Sequence, residues 1–240
     1  MEALLSAGEW LAIVLGGLII RFGAAVAVLA AIVMVLLPIV YAFEGGRRLL
    51  RRVRGIEDVQ GFEWRRGPRY APSHLWLGER GGLVRLGLDS IAARVLAAAR
   101  DVVVPPVGTR VVAGAPLARF TAGHASIAVP APFDGVVADV NVRLGDQPDL
   151  ASRHPYGGGW LVELEPADRA YRRLPRAAEA RRWFDREAGK LTFALEHATG
   201  YAAADGGEPI APHHELLTDD QVVQLAAAFL GASVSKDGRS

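Results

Sequence analysis

The chain has 240 residues, 51% of them hydrophobic, with 27 basic and 26 acidic residues for a formal net charge of +1. That length holds one ordinary domain with additions, or two small ones, and so balanced a charge gives no global attraction to nucleic acid. Cysteine is absent, which excludes disulfides, Cys-ligated zinc, iron–sulfur clusters, c-type haem attachment and a thiol nucleophile. Only Lys190 and Lys236 are lysines; the other 25 basic residues are arginines. Chemistry that needs a lysine amine therefore has two candidates.

The first predicted element is a membrane anchor. Between Trp10 and Tyr41 the only charged residue is Arg21, and Phe22 to Phe43 carries none over 22 residues. At about 1.5 Å per residue that run reaches roughly 33 Å, enough to cross the hydrocarbon core. Trp10 and Tyr41 suit the interface, and Pro38 near the end is tolerated. Trp10 to Ile20 is too short to span alone; it extends a tilted helix or lies in the interface. Two readings fit Arg21: it snorkels to headgroups, or it pairs with an acidic residue of another membrane subunit. Arg47, Arg48, Arg51, Arg52 and Arg54 follow the run, while Glu2 and Glu9 precede it. The positive-inside rule then puts the N-terminus outside and the main domain in the cytoplasm. A signal peptide is the rival reading, since Val40-Tyr41-Ala42 has cleavage-site spacing. The missing basic n-region and the arginines after the run oppose it. Those arginines either signal topology alone or also bind anionic lipid.

Residues from about Tyr70 to Asp168 read as short strands broken by Gly and Pro. The candidates are Leu83–Leu88, Asp101–Val104, Arg110–Val112, Leu117–Phe120, Ser126–Val129, Gly135–Asn141 and Trp160–Leu164. Turns about every ten residues predict a small antiparallel sandwich or barrel. One helix interrupts them, Ser90 to Arg100, with Asp89 or Ser90 as N-cap. Trp76, Phe133 and Trp160 are candidate core or inter-sheet aromatics.

The order of motifs here resembles one known family. Tyr70-Ala-Pro-Ser-His74-Leu-Trp76 is similar to the Y-x-x-x-H-E-W opening of glycine cleavage system H proteins. Val84-Arg-Leu-Gly87-Leu-Asp89, Pro106-Val-Gly108 through Gly114, and Ala131-Pro132-Phe-Asp-Gly135 resemble their later elements. Pro148-Asp-Leu150 and Pro155-Tyr156-Gly157-Gly-Gly159-Trp160 complete the series. The resemblance implies a mainly β, lipoyl-like barrel or sandwich, the H-protein-like hammerhead, with an N-terminal transmembrane helix and a C-terminal helical extension added to it. In the family a lipoyl-lysine sits on a hairpin tip. Counting back from Ala131-Pro132 puts that tip at Thr121 to Ala125, with His124 at the lysine position and Thr121 where the family has glutamate. No lysine lies in the domain, so the resemblance implies that carrier chemistry and its cofactor are absent.

For His124 two readings stand: a drifted surface residue on a tight turn, or a group that binds metal, relays protons or meets a partner. A lone histidine makes no metal site, so no metal is expected. His74 and His154 match family positions and are read as structural. His213-His214 is read as part of an exposed loop rather than a metal site.

Beyond Asp168, Ala170 to Glu187 is predicted helical, at least after Pro175. Trp183 and Phe184 dock it on the barrel or on a partner. Leu191 to His197 is a further strand or short helix, and Tyr201 to Pro212 a loop. Thr218 caps a last helix whose apolar stripe is Val222, Val223, Leu225, Ala226, Phe229 and Leu230, ended by Gly231. The expected organisation is a tip over 1–9, a membrane helix over 10–43, a basic linker over 44–69, the β domain over 70–168, a helical extension over 169–232 and a disordered tail over 233–240.

No nucleophile–base pair, P-loop, dinucleotide fingerprint or paired carboxylates emerge, so no enzyme is expected. The leading expectation is a non-lipoylated docking subunit of a complex in the cell's inner membrane, an electron-transfer assembly being one setting. Its partners are the bilayer and integral membrane subunits, with Arg21, His124, Trp183, Phe184 and Phe229 as candidate contacts. The alternative is an accessory of glycine cleavage or lipoate metabolism that binds lipoyl-handling enzymes. A third reading is an enzyme or metal protein built on His124.

Overall fold

The computed structural model describes residues 15, 18, 21, 22, 26, 29, 32–38, 40, 55–199 and 217–236. The chain divides into two units, residues 1–53 and 54–240. In the first, every described residue from Leu15 to Val40, Arg21 included, is helical and exposed, with Met34 at 80% and Phe22 at 72%. Among the described residues no helix is long and apolar enough to cross a membrane. Much of the expected 10–43 helix lies outside the described residues. So do the 1–9 tip, Arg47, Arg48, Arg51, Arg52 and Arg54, the 201–212 loop and His213-His214.

The second unit opens with a hairpin, β1 (Ile56–Val59) and β2 (Phe62–Arg65). This corrects the expected linker over 44–69, of which residues 55–69 belong to the folded domain. The cause is a two-residue turn, Gln60-Gly61, with both residues at positive φ (53° and 81°), the backbone that joins right-twisted strands. The hairpin buries Val59, Phe62 and Trp64.

Strands β3 (Arg69–Tyr70), β4 (Leu75–Arg80), β5 (Leu83–Leu88), β6 (Asp101–Val103), β7 (Arg110–Val111), β8 (Pro116–Ala122), β9 (Ala125–Pro130), β10 (Gly135–Val140) and β11 (Trp160–Pro166) follow. The seven strand candidates read from the sequence fall on β5 to β11. They make two sheets, a six-stranded one in the order β3-β4-β5-β11-β10-β7 and a four-stranded one ending β9-β8-β6. Every named pairing is antiparallel. Leu75, Leu77, Val84, Leu86, Val162 and Leu164 of the larger sheet are buried, as are Leu117, Phe120, Ile127 and Val129 of the smaller. Trp76 and Phe133 are buried as expected, and Trp160 is half-buried under the Arg85 guanidinium, 4.5 Å from the ring centroid.

Helix α1 (Ser90–Val95) is shorter than the expected Ser90–Arg100. After Leu96 the chain passes through turns, and Arg100 N–H donates to Thr121 O at 2.8 Å, which draws it into the β6–β8 ladder. Short helices α2 (Arg143–Asp146) and α3 (Leu150–Arg153) precede β11. A 3₁₀ turn over Ala170–Arg173 leads to α4 (Ala177–Thr199). Helix α4 merges the two segments expected over 170–187 and 191–197. Its buried residues Ala180, Phe184, Ala188, Leu191 and Leu195 recur every three or four positions across Gly189, and this single apolar stripe outweighs the roughly 1 kcal/mol a mid-helix glycine costs.

Helix α5 (Asp219–Leu230) has the expected caps. Thr218 and Gln221 exchange a capping box, and Gly231 closes the end at φ 56°. Val222, Leu225, Ala226 and Leu230 are buried; Val223 and Phe229 are half-buried. The tail expected to be disordered over 233–240 is corrected in part: Ser233–Lys236 is a strand, β12, paired along β9. Backbone hydrogen bonding to an open sheet edge supplies the order that its polar side chains do not.

Candidate functional site

The hairpin β8–β9 is built as the sequence implies. Thr121 pairs with Ser126 and Ala122 with Ala125, leaving Gly123-His124 as the two-residue tip. Gly123 has φ 58° and His124 is not at positive φ, the pattern of a type II′ turn, which takes glycine first. His124 is exposed. Among the described residues it makes no hydrogen bond or ion pair, and no cluster of three His, Asp or Glu could hold a metal.

The tip is covered from one side. A Cβ built on Gly123 would fall on the Asp219 carboxylate, so the first residue of α5 rests directly on the turn. Helix α5 also packs along β9 and α1. Strand β12 runs antiparallel beside β9 with Lys236 opposite Ala125. The backbone of Lys236 therefore lies in register next to the tip, a placement that no sequence spacing announces. Lys190, by contrast, is exposed on α4 and pairs with Glu187 at 2.8 Å.

A second group of polar residues lies in the core behind this hairpin. Asp89 caps α1: its Oδ1 accepts from Ile91 and Ala92 N–H, both at 2.9 Å. Its Oδ2 lies 2.8 Å from His74 Nδ1, with Asp89 0% and His74 1% exposed. His74 has φ 56° and its carbonyl accepts from Asp89 N–H. Trp183 lies across the imidazole at 4.9 Å and Phe229 at 6.4 Å. Trp183 and Phe229 are thus half-buried on this chain's own histidine, and Phe184 is wholly enclosed. Of the candidate partner contacts only His124 and Arg21 remain exposed.

Tyr70 and Tyr156 finish the group. Tyr70 Oη donates to Arg65 O at 2.8 Å and accepts from Arg65 N–H at 3.1 Å. Tyr156 Oη bonds to the Tyr70 oxygen and accepts from Ser90 N–H. Burial pushes both phenols well above their usual range, because neither phenolate would be solvated. The loop bearing Tyr156 is pinned from three sides: Trp76 Nε1 donates to Pro155 O at 2.9 Å, Arg65 Nη1 to Tyr156 O at 2.7 Å, and Asn141 Nδ2 to Gly158 O at 2.8 Å. At Gly159 a Cβ would strike the Leu150 carbonyl. The Pro155–Trp160 motif and His74 are therefore structural parts. His154 is exposed, and its carbonyl accepts from Gly157 and Gly159 N–H.

The model of the glycine cleavage H-protein family matches residues 68–186. A glycine cleavage system H protein of Micrococcus luteus is 38% identical over 106 residues, 43% of this chain and 83% of that protein. This chain belongs to the glycine cleavage H-protein family. A mitochondrial H protein of Mesembryanthemum crystallinum is 35% identical over 106 residues, 43% of this chain and 63% of that protein. The crystal structure of the Mycobacterium marinum H protein aligns with a TM-score of 0.42 at 27% identity, covering 52% of this chain and 96% of that one. The H-protein match contains the β8–β9 hairpin, His74, Asp89 and Tyr156. The β1–β2 hairpin, α5 and β12 lie outside it, so the elements laid over the H-protein hairpin tip come from beyond the matched residues.

Proposed function

We propose that this chain is a membrane-tethered H-protein-like module that carries no lipoyl group and serves as a docking subunit of a membrane protein complex. The observation that carries the reading is the hairpin tip. His124 takes the place where the family bears its lipoyl-lysine, no lysine occurs before Lys190, and Asp219 rests on the neighbouring Gly123. Imidazole forms no stable amide with lipoate, and a tip packed under a helix start does not swing freely. The charge-free run from Phe22 to Phe43 and the exposed apolar side chains described along it support a single span in the cell's inner membrane. The arginines that follow favour a cytoplasmic main domain. On this reading the protein catalyses nothing itself and contacts integral membrane subunits.

A second reading is favoured by the register of β12. Lys236 stands opposite Ala125, one residue from His124, so the backbone of a lysine from outside the matched domain lies beside the tip. That placement suits a protein working with lipoate-handling enzymes.

One experiment separates the two. The protein is purified from its own membranes in mild detergent, and intact and peptide masses are taken of it and of whatever co-purifies. An unmodified chain with stoichiometric integral membrane partners supports the docking subunit. A lipoyl mass on Lys236 or Lys190 overturns it and establishes the second reading.

A further inference from the structure

A cavity of about 490 Å³ opens beside β4, away from the hairpin tip. Six of its fourteen lining residues are arginines, Arg65, Arg66, Arg69, Arg80, Arg85 and Arg176, against one acid, Glu79. Arginine makes up 25 of 240 residues in the chain, so the clustering exceeds what composition alone supplies.

Backbone oxygens fix three of these guanidinium groups in place. Arg65 Nη1 donates to Tyr156 O at 2.7 Å, Arg69 Nη1 to Leu174 O at 2.9 Å, and Arg176 Nε to Gly67 O at 2.8 Å. Each such bond uses one of five N–H donors and leaves the rest of the fork available. Neutralisation is incomplete. Arg66 is matched by Glu57 at 2.9 Å and Arg85 by Glu163 at 2.7 Å. Glu79 sits 3.9 Å from Arg69 and closer, at 3.2 Å, to Arg172 outside the cavity. Among the described residues Arg65, Arg80 and Arg176 make no ion pair, and Arg69 Nε is buried without a hydrogen-bond partner.

We propose that this cavity binds a phosphate-bearing anion. A carboxylate brings a single charge to several unmatched guanidinium groups. A phosphate monoester brings about −1.5 to −2 and three strong acceptor oxygens, and the planar arginine fork matches such oxygens two at a time. Trp76 and Leu77 in the same wall give apolar surface to whatever carries the phosphate. Soluble phosphate esters and anionic lipid headgroups share this chemistry.

The test is calorimetric titration of the full chain in a non-ionic detergent. One arm uses inorganic pyrophosphate, the other dioctanoyl phosphatidic acid with dioctanoyl phosphatidylcholine as its neutral reference. Saturable binding is expected in at least one arm, weakened tenfold or more in the Arg80→Gln/Arg176→Gln variant. It should be unchanged in Arg119→Gln/Arg153→Gln, which removes the same charge elsewhere. Among the described residues the Arg80 side chain makes no hydrogen bond or ion pair, so the loss of affinity in Arg80→Gln alone reports the site even if the double variant unfolds. Pyrophosphate binding alone identifies a soluble ligand, and phosphatidic acid binding alone a lipid headgroup. Absence of saturable binding in both arms, or equal weakening by the control pair, overturns the proposal.

Discussion

Replacing Asp89 tests how the core holds together. Its carboxylate accepts two α1 backbone N–H bonds at 2.9 Å and meets His74 at 2.8 Å. In Asp89→Ala the helix loses its cap, worth about 1 kcal/mol. The His74 ring, 1% exposed, is left with an unpaired polar nitrogen. Leaving a buried polar group of this kind unsatisfied costs about 1–3 kcal/mol. The expected loss is therefore about 2–4 kcal/mol, a large share of the roughly 5–15 kcal/mol typical of a domain. At about 2–4 °C per kcal/mol for a domain of this size, the midpoint should fall by about 4–16 °C. In Asp89→Asn the Oδ1 equivalent keeps both cap bonds and the amide still meets the ring, so the loss should be about 1 kcal/mol. Thermal and urea unfolding followed by tryptophan fluorescence suit the question, because Trp183 lies against His74 at 4.9 Å. Equal losses for Asn and Ala, or a loss under about 1 kcal/mol for Ala, would refute the hydrogen-bond account.

Alkaline pH should unfold the domain cooperatively. Burial raises the pKa of Tyr70 and Tyr156 in the fold, so both hold protons that the unfolded chain releases near pH 10. Their contribution is complete below that pH and declines above it by about 1.4 kcal/mol per pH unit for each phenol. Absorbance at 295 nm should show these two phenolates only as near-UV dichroism collapses; their gradual ionisation with the dichroism intact would contradict the burial argument. Gly123→Ala should cost about 1–2 kcal/mol from its positive φ, with a further penalty from Asp219. Adding Asp219→Ala should recover only that second part, and a double-mutant cycle without coupling would mean that α5 does not rest on the turn. His124→Ala, one position on, should shift stability by less than about 0.5 kcal/mol, measured in the same urea titration. Gly159→Ala should be severe, about 3 kcal/mol or more, because its Cβ meets the fixed Leu150 carbonyl. A soluble, fully folded Gly159→Ala protein with an unchanged midpoint would show that the loop yields.

The strands from β5 to β11 were legible because each is a short apolar run closed by Gly or Pro, and the motif order placed the hairpin turn within Thr121 to Ala125. The β1–β2 hairpin carried its own signal, the apolar residues Ile56, Val59, Phe62 and Trp64 around Gln60-Gly61. It was masked by the dense arginines just before it, which made the whole stretch read as a linker. Strand β12 had no such signal: Ser233, Ser235 and Lys236 surround a single apolar Val234, and only the open edge of β9 makes a strand of them. The same limit applies to the sites. Asp219 and Gly123 meet across about half of the domain sequence, and Arg65, Arg80 and Arg176 come together only when β2, β4 and the start of α4 assemble. For Trp183 and Phe184 the spacing left open the barrel or a partner, and could not say that they lie on His74 and Tyr70 of their own chain.

The pairing of β9 with β12 also sets a timetable. Residues 125–128 leave the ribosome about a hundred residues before residues 233–236, which close their edge. At about 5–20 residues per second of synthesis, that interval is on the order of 5–20 s. For that time β9 presents unpaired backbone donors and acceptors to any other extended chain nearby. The β8–β9 hairpin is thus the last part of this sheet to be sealed, and the nascent protein should depend most on chaperones during those seconds.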